Sequence, residues 1–494
     1  MEKENRKSVA GNVTYHLLFR LVMTLSPLIV APHLARELGA SNLGIFSFAL
    51  ANAEYFILFA RMGIDQHGTR TLAENINDKD RFSQIFWDLY AVQFLMSLMC
   101  IALYLVYTFV FISENRTITL ILVLMLLSTM LDITWLFYGL EEFKMLSLRS
   151  TFLKVLEVIC VITLVRKDGP ALLIYALIIG TETLLNSLVL LPLARRYIVF
   201  KKPDPNRIRA HIRPLMLLFV PQLAVTVFHN MDKTMLGLMA AYEEGGYYYN
   251  ANKLINVPAT VTTGLSAVFL PRAVTVFADE DKEKRDHFLN RSFEFSAFLS
   301  AGMTFGIIGC AKDFIPVFFG PDFMPCILLT YLFAPVLIFK TVSNLYRAEY
   351  MIPKHQDSLY IYAAAGAVVV NLILNFLLIP RFGAAGAAVA TAVAEAVLML
   401  IQFKGYGGDA QAFRWLKANL IYIFFGALMF GFMNLLSRLG IGVIMRIVTE
   451  ILAGGCFYML LCFLYWVFFS RDKDVLTLIR HEISKFSGKQ QGQG

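Results

Sequence analysis

The sequence predicts an all-α protein that spans a membrane, and its composition and hydropathy pattern carry that prediction. Of the 494 residues, 57% are hydrophobic and only 16% are charged, whereas about a quarter of the residues in soluble domains are charged. One water-soluble core stops growing near about 250–300 residues, and several soluble domains would need more charge on their surfaces. Apolar runs of membrane-helix length recur along the chain, while the alternating segments of a membrane β-barrel are absent. We therefore expect a polytopic helical bundle.

Fourteen apolar runs are long enough to cross the hydrocarbon core. They cover residues 12–34, 43–64, 83–111, 117–140, 147–165, 171–194, 214–241, 247–277, 292–310, 326–348, 358–379, 384–403, 415–436 and 443–469. If the N-terminus is cytoplasmic, thirty of the 44 Lys and Arg residues fall in inner segments and eight in outer ones. The positive-inside rule expects this distribution, so we predict fourteen spans with both termini in the cytoplasm. Contact with anionic lipids then accounts for the net charge of +8, and no nucleic-acid partner is needed.

The chain also divides into two halves with a similar pattern. Gly44 and Ala49, between the first two spans, align with Gly246 and Ala251, and Glu182 aligns with Glu395. We predict two pseudo-symmetric six-helix lobes followed by two C-terminal helices. The predicted parts are an N-terminal lobe (1–194), a basic cytoplasmic linker (195–213), a C-terminal lobe (214–403), helices 13 and 14 (404–470) and a cytoplasmic tail (471–494). Parallel repeats around a central site are a common plan among transporters.

Signatures of catalysis are missing from the sequence. It contains no phosphate-binding G-x-x-x-x-G-K-[ST], no H-E-x-x-H, no C-x-x-C pair and no G-x-S-x-G. The six cysteines lie mostly within apolar runs and are interpreted as packing residues. The predicted outer loops are too short for an extracytoplasmic catalytic domain. We expect a protein that is not an enzyme and that has no cofactor and no metal site.

Ionisable and amide side chains lie inside the predicted spans, where they are costly and usually face an interior cavity. In span seven, Gln222, Thr226, His229 and Lys233 follow one another at intervals of four, three and four residues, which places them on one helix face. Similar stripes on other spans predict a wet cavity between the lobes. The cations and amides that we expect to line it are Arg20, Arg61, Gln222, Lys233, Asn252, Lys253 and Asn256.

Two further sets of residues complete the predicted pathway. The carboxylates are expected either to balance the cavity cations or to carry a coupling proton; they are Glu54, Asp132, Glu182, Asp232 and Glu395. Prolines free backbone groups and kink membrane helices, and those beside the polar stripes are predicted hinges: Pro27, Pro32, Pro221 and Pro258. Arg61 also has a simpler interpretation. It lies near enough to the end of a span for its side chain to reach the membrane interface without lining a cavity.

Three segments resemble the bacterial polysaccharide flippase family, part of the multidrug/oligosaccharidyl-lipid/polysaccharide exporter superfamily. They are LIVAPHLARELGASNLGIFSFALANAEYFILFARMGIDQHGTRTLAE, VPQLAVTVFHNMDKTMLG and LNFLLIPRFGAAGAAVATAVAEAV. The resemblance covers nearly the whole chain and implies alternating access in the bacterial plasma (inner) membrane. It implies that undecaprenyl-diphosphate-linked oligosaccharide units are flipped from the inner to the outer face for O-antigen, capsule or exopolysaccharide synthesis. A polysaccharide polymerase or a chain-length regulator is then a possible partner, and we expect a monomer.

The glycan of such a substrate cannot cross about 30 Å of hydrocarbon unaided, because its hydroxyls would lose their hydrogen bonds to water. Cavity amides would replace those bonds, and Arg20, Arg61, Lys233 or Lys253 would pair with the diphosphate. An ion-coupled multidrug extruder and a lipid II flippase of the same superfamily are alternatives, and a membrane glycan polymerase is an alternative from another class. A drug extruder would favour an acidic cavity, and a polymerase would need a large outer loop.

Overall fold

The computed structural model describes the backbone of residues 2–279, 281–404 and 410–468, and within these ranges the side chains of 1–18, 21, 267–268, 357 and 410–418 are left undescribed. The predicted tail, 471–494, lies outside the described residues. Every regular element in the described part is helical. The helices are α1 (Glu2–Arg61), α2 (Ile64–Glu74), α3 (Lys79–Phe111), α4 (Arg116–Ile121), α5 (Val123–Leu131), α6 (Thr134–Gly139), α7 (Phe143–Leu164), α8 (Ala171–Leu188), α9 (Leu190–Ala194), α10 (Pro205–Met239), α11 (Tyr242–Ala278), α12 (Lys282–Phe318), α13 (Pro325–Tyr346), α14 (Asp357–Lys404), α15 (Ala410–Leu436) and α16 (Val443–Phe468). A 3₁₀ turn occupies Pro321–Phe323, and a π-helical turn occupies Arg347–Met351.

Among the described residues, eleven helical stretches are long and apolar enough to cross a membrane. Many large apolar side chains on them are exposed, including Leu95, Phe111 and Leu217, which is the surface that a helix offers to lipid. The all-α, multi-pass prediction is therefore confirmed. The eleven stretches are fewer than the fourteen predicted spans, partly because the two longest helices are each broken by a glycine.

The breaks lie at Gly39 in α1 and at Gly383 in α14. Gly39 has φ 71° and ψ 175°, and Gly383 has φ 53° and ψ −131°. An unbroken helix of 60 residues, the length of α1, would extend about 90 Å, three times the hydrocarbon thickness. Glycine tolerates such backbone angles because it has no Cβ. The non-helical backbone in α1 therefore lies at Gly39 and not at the predicted hinges Pro27 and Pro32.

The segment that precedes α10 is fixed to α3. The backbone N–H of Val199 donates to Ser83 Oγ (3.0 Å), and the indole N–H of Trp87 donates to the carbonyl of Val199 (3.0 Å). Asp88 Oδ1 accepts from the backbone N–H of Asp204 (2.8 Å), the N-cap residue of α10. The first half of the predicted linker is thus hydrogen-bonded to α3, and its second half forms the first turns of α10.

The chain forms two compact units. The first comprises residues 1–257, 318–333 and 358–398, and the second comprises 258–317, 334–357 and 399–494. The first contains a core built on Phe86, Trp135 and Phe137. The second contains a core built on Tyr422, Met433 and Tyr458. The six-helix lobes read from the sequence remain a prediction.

Candidate functional site

Three lysines from three helices come together in the first unit. Lys253 of α11 lies with its ammonium 4.0 Å from the centre of the Tyr249 ring, a cation–π distance. The charges of Lys233 (α10) and Lys154 (α7) both act on Lys253. Like charges this close repel one another, so the arrangement favours an anion among them. The structure thus brings the predicted binding residues Lys233 and Lys253 together.

Each of the two outer lysines has a local partner. Lys154 Nζ donates to Glu157 Oε2 at 2.6 Å, an ion pair at i, i+3 spacing within α7. Lys233 Nζ donates to Asn230 Oδ1 at 3.0 Å. The Lys154 charge is therefore partly balanced, whereas Lys233 is held by a neutral amide.

Tyrosines and carboxylates surround these lysines. Tyr249 is in hydrogen-bonding contact with Tyr175 of α8, and the charges of Glu54 and Glu157 act on it. The Glu54 charge also acts on Tyr55, which contacts Thr234. We call the set Glu54, Tyr55, Lys154, Glu157, Tyr175, Lys233, Tyr249 and Lys253 the lysine–tyrosine cluster.

Glu182 lies at the edge of the lysine–tyrosine cluster. It accepts from Asn186 Nδ2 at 2.7 Å and feels the charges of Glu157 and Lys154. Two of the predicted carboxylates, Glu54 and Glu182, therefore lie at the lysine–tyrosine cluster, and their role in balancing the cavity cations stays a prediction. Whether either carries a coupling proton stays a prediction.

Arg61 belongs to a separate group. Its Nη1 lies 3.1 Å from Asp65 Oδ2, and its Nη2 lies 3.2 Å from Asp132 Oδ2. Asp132 ends α5 and accepts from the backbone N–H of Thr134 at 2.9 Å. The structure therefore pairs the predicted binder Arg61 with the predicted charge balancer Asp132.

Arg20 is near the Arg61 group and not in the lysine–tyrosine cluster. Its side chain is exposed. Its charge acts on Tyr138, as do the charges of Arg149, Asp132 and Asp65. Arg20 and Arg61 thus mark a second cationic position of the first unit, centred on Tyr138.

The three predicted amides are divided. Asn256 Nδ2 donates to Asn252 Oδ1 on the same helix, and Asn252 contacts the Tyr248 hydroxyl. Gln222 is half-buried on α10, eleven residues before Lys233 and thus about 16 Å from it along the axis. The amide pair therefore contacts Tyr248 and lies on α11 next to Lys253 in the sequence, while Gln222 lies about three turns away from Lys233 along α10.

Asp232 occupies a dry polar network in the first unit. The Asp232 side chain is 3% exposed. Its Oδ2 accepts from the Tyr248 hydroxyl (2.5 Å) and from Thr391 Oγ1 (2.8 Å), and its Oδ1 accepts from Asn375 Nδ2 (2.6 Å). Asn375 also donates to Asn371 Oδ1 at 3.2 Å. The donors are all neutral, so this carboxylate is held by hydrogen bonds and not by an ion pair.

The sequence analysis missed Tyr248, Asn371 and Asn375. The only local signal was the i, i+4 spacing of the two asparagines within an apolar run, which places them on one face. Glu395, one turn after Thr391, is buried but contributes no atom to the hydrogen bonds that reach Asp232.

The predicted hinges Pro221 and Pro258 lie inside α10 and α11, and both helices continue past them. Pro27 and Pro32 likewise lie inside α1. Their hinge role therefore stays a prediction about motion.

Comparisons with known proteins identify the family to which this chain belongs. The family model described as "Polysaccharide biosynthesis protein" matches residues 9–277. A protein of Escherichia coli (strain K12) named "Putative O-antigen transporter" is 21% identical over 398 residues, covering 80% of this chain and 95% of that protein. The "Probable low-salt glycan biosynthesis flippase Agl15" of Haloferax volcanii is 24% identical over 197 residues, covering 40% of this chain and 42% of that protein.

Solved structures share the fold. The lipid II flippase MurJ in an inward closed conformation superposes with a TM-score of 0.71 at 16% identity, covering 92% of this chain and 98% of that one. An inward-facing multidrug transporter of the MATE family and MOP superfamily superposes with a TM-score of 0.56 at 10% identity, covering 84% and 95%. The matched family consists of transporters and not of enzymes. The chain belongs to the polysaccharide biosynthesis protein family, the polysaccharide flippases of the multidrug/oligosaccharidyl-lipid/polysaccharide exporter superfamily.

Proposed function

We propose that this protein flips undecaprenyl-diphosphate-linked oligosaccharide repeat units from the inner to the outer face of the bacterial plasma membrane by alternating access. The products would feed O-antigen, capsule or exopolysaccharide synthesis. The observation that carries the proposal is the meeting of Lys154, Lys233 and Lys253 beside Tyr249. Of these three ammonium groups only that of Lys154 forms an ion pair among the described residues, so the group favours a multivalent anion, and a diphosphate supplies one.

The rest of the lysine–tyrosine cluster suits the sugar. Tyr55, Tyr175 and Tyr249 offer hydroxyls on aromatic faces, and the neighbouring Asn252 and Asn256 offer amides. These groups would replace the water that a glycan loses inside the membrane. Arg20 and Arg61 would provide a second cationic position for the head group, near Tyr138. The polyprenyl tail would remain in lipid.

The membrane topology of the proposal is fourteen spans with both termini in the cytoplasm. The breaks at Gly39 and Gly383 divide α1 and α14 into two crossings each. Helix α7 has 22 residues, enough to cross the core, although Lys144, Arg149, Lys154 and Glu157 lower its hydropathy. Together with the eleven apolar stretches, these features support the fourteen predicted crossings.

We assign ion coupling to Asp232. A carboxylate held only by neutral donors has no resident countercharge, so it can take up a proton or a cation without first breaking a salt bridge. Asp232 lies on α10 and its hydrogen-bond donors lie on α11 and α14, so uptake would alter contacts among three helices. We further expect the protein to act as a monomer and to supply a polysaccharide polymerase and its chain-length regulator.

The decisive experiment compares Lys253→Ala with Lys312→Ala in cells that lack their own flippase for a defined glycan. Lys312 is exposed near the end of α12 and serves as the matched control. A charge-assisted hydrogen bond contributes about 1.5–3 kcal/mol, so Lys253→Ala should lower export by roughly 10–100-fold. Complete lipid-linked units should then accumulate on the inner face. Unchanged export by both variants at equal expression would refute the proposal, and single units appearing outside would indicate a defect in a polymerase instead.

A further inference from the structure

A single π-helical turn directly follows α13 in the second unit. It comprises Arg347–Met351, and no other π-turn occurs in the ranges that the structure describes. Isolated π-helical turns are uncommon in proteins, and many of them lie at functional sites. Glu349 lies at the centre of this turn, and its side chain is 0% exposed.

The Glu349 carboxyl group has no ordinary hydrogen-bond partner. Neither Oε1 nor Oε2 accepts a hydrogen bond of regular geometry from any described residue, and the one side-chain donor among the described residues that acts on the group is the Ser292 hydroxyl of α12. Gln402 of α14 is likewise fully buried, with both amide atoms unpartnered. Its neighbour Phe403 stacks on Tyr346 at 5.1 Å, which places this part of α14 against the π-turn.

The charged and titratable groups near the π-turn form no hydrogen bond with the Glu349 carboxyl group in the described part of the chain. Lys354 donates to the Tyr350 hydroxyl. From α11, Phe277 packs on Tyr350 at 5.9 Å. Behind that ring, the Arg285 guanidinium lies 5.4 Å from the Phe277 ring centre. The remaining charged or titratable neighbours are Arg347 and Tyr346 on its own segment, His355 in the following turn and Arg291 beside Ser292 on α12, and none of them pairs with a Glu349 oxygen.

A buried carboxylate ion without a partner costs many kilocalories per mole, and a protein avoids that cost by keeping the group neutral. We propose that Glu349 is a proton-binding site, whose carboxyl group holds a proton in this conformation and releases it when water enters the π-turn. On release, the O–H bond breaks, the proton passes to water, and the negative charge stays on the hydrated carboxylate. The ligand is therefore a proton, and the pH at the face of the membrane near residues 352–356 sets its occupancy.

Proton release would bias the conformation of this segment. A hydrated, ionised Glu349 cannot return to the dry position until it is protonated again, so the π-turn has two states with different proton affinities. The site is independent of the cargo that the protein carries. It is also distinct from Asp232, which has three neutral donors.

The test uses the full-length protein in lipid nanodiscs and compares wild type with Glu349→Gln and Glu283→Gln. Glu283 is exposed at the start of α12 and is the matched control. Infrared spectroscopy at neutral pH should show a protonated-carboxyl band in wild type and in Glu283→Gln that is missing in Glu349→Gln. Glu349→Asp should keep the band at a shifted frequency, which covers the case in which Glu349→Gln fails to fold.

Thermal stability gives a second readout that requires no substrate. A proton held only by the folded state changes the folding equilibrium by up to about tenfold per pH unit, and stability falls as pH rises. Between about pH 6 and about pH 9, the melting temperature of wild type should therefore fall relative to that of Glu349→Gln. A wild-type spectrum without the band, or identical pH profiles for the two proteins, would overturn the proposal. If Lys253→Ala loses export and keeps the protonated-carboxyl band, both the Glu349 site and the flippase assignment are supported. If Lys253→Ala exports normally, the flippase assignment alone is refuted.

Discussion

Two buried carboxyl groups of this protein have opposite surroundings. Asp232 in the first unit accepts hydrogen bonds from Tyr248, Thr391 and Asn375. Glu349 in the second unit accepts no hydrogen bond of regular geometry from the described residues, and only the Ser292 hydroxyl acts on it as a side-chain donor. Both are almost inaccessible to solvent. Burial alone therefore does not decide whether a carboxyl group in a membrane helix is protonated or ionised. Hydrogen bonds to the oxygens favour the ionised form, and their absence favours the neutral one.

The difference arises from the path of the chain. Gly383 reverses α14 so that Asn375, eight residues before it, and Thr391, eight residues after it, reach the same carboxylate. Glu244 stabilises the reversal by accepting from the backbone N–H of Ala384 at 2.7 Å. No comparable reversal supplies donors to Glu349, which lies within a π-turn of a single helix. A hairpin thus collects polar groups that a straight helix keeps apart.

The largest expected effect follows removal of Asp232. Asp232→Ala removes the acceptor that three buried donors share, and each lost bond costs about 1–3 kcal/mol, so we expect the free energy of unfolding to fall by about 3–5 kcal/mol. Asp232→Asn keeps one acceptor oxygen and should lose less stability, but it should lose transport if the charge is needed for coupling. Reversible chemical unfolding and glycan export measure the two quantities. Asp168→Asn, in an exposed loop, is the control, and equal losses in both asparagine variants would argue against a special role of Asp232.

An intermediate effect is expected at the reversal itself. A Cβ at residue 383 would lie 2.4 Å from Glu244 Oε2, and the backbone angles there suit glycine alone. Gly383→Ala should therefore reduce the free energy of unfolding by about 1–3 kcal/mol and weaken the donors to Asp232. Gly431→Ala is the control, because Gly431 lies inside α15 with no atom within 4 Å of a new Cβ. That change should raise the free energy of unfolding by up to about 1 kcal/mol. If Gly383→Ala also raised the free energy of unfolding, the reversal at residue 383 would tolerate a side chain.

The sequence predicted the membrane class and several charged positions because those depend on local pattern. A span needs about 20 apolar residues wherever it lies, and a charge inside it is conspicuous. Lys233 and Lys253 were identified in this way, and the structure shows that they meet. Which side chains meet depends on where the chain reverses, and the sequence indicated that only through single glycines. The partners of Asp232 were therefore missed.

Glu349 escaped the sequence analysis for a different reason. It stands between Arg347 and Lys354 at the end of a predicted span, where a carboxylate is usually solvated at the interface. The π-turn that buries it has no signature in the local pattern. Arg20 was expected to line the cavity together with Lys233; its charge acts on Tyr138, and its role in binding stays a prediction.

The smallest expected effect separates the two carboxyl groups most sharply. Glu349→Met replaces a neutral, unpartnered acid by an apolar side chain of similar size, which strands no donor. We expect the free energy of unfolding near neutral pH to change by less than about 1 kcal/mol, whereas Asp232→Leu should lose about 3–5 kcal/mol as Asp232→Ala does. At higher pH the methionine variant should become the more stable protein, because wild type must then bury an ion or hydrate the π-turn. If Glu349→Met instead destabilised the protein by as much as Asp232→Leu at neutral pH, Glu349 would be making a hydrogen bond, and the contrast between the two sites would disappear.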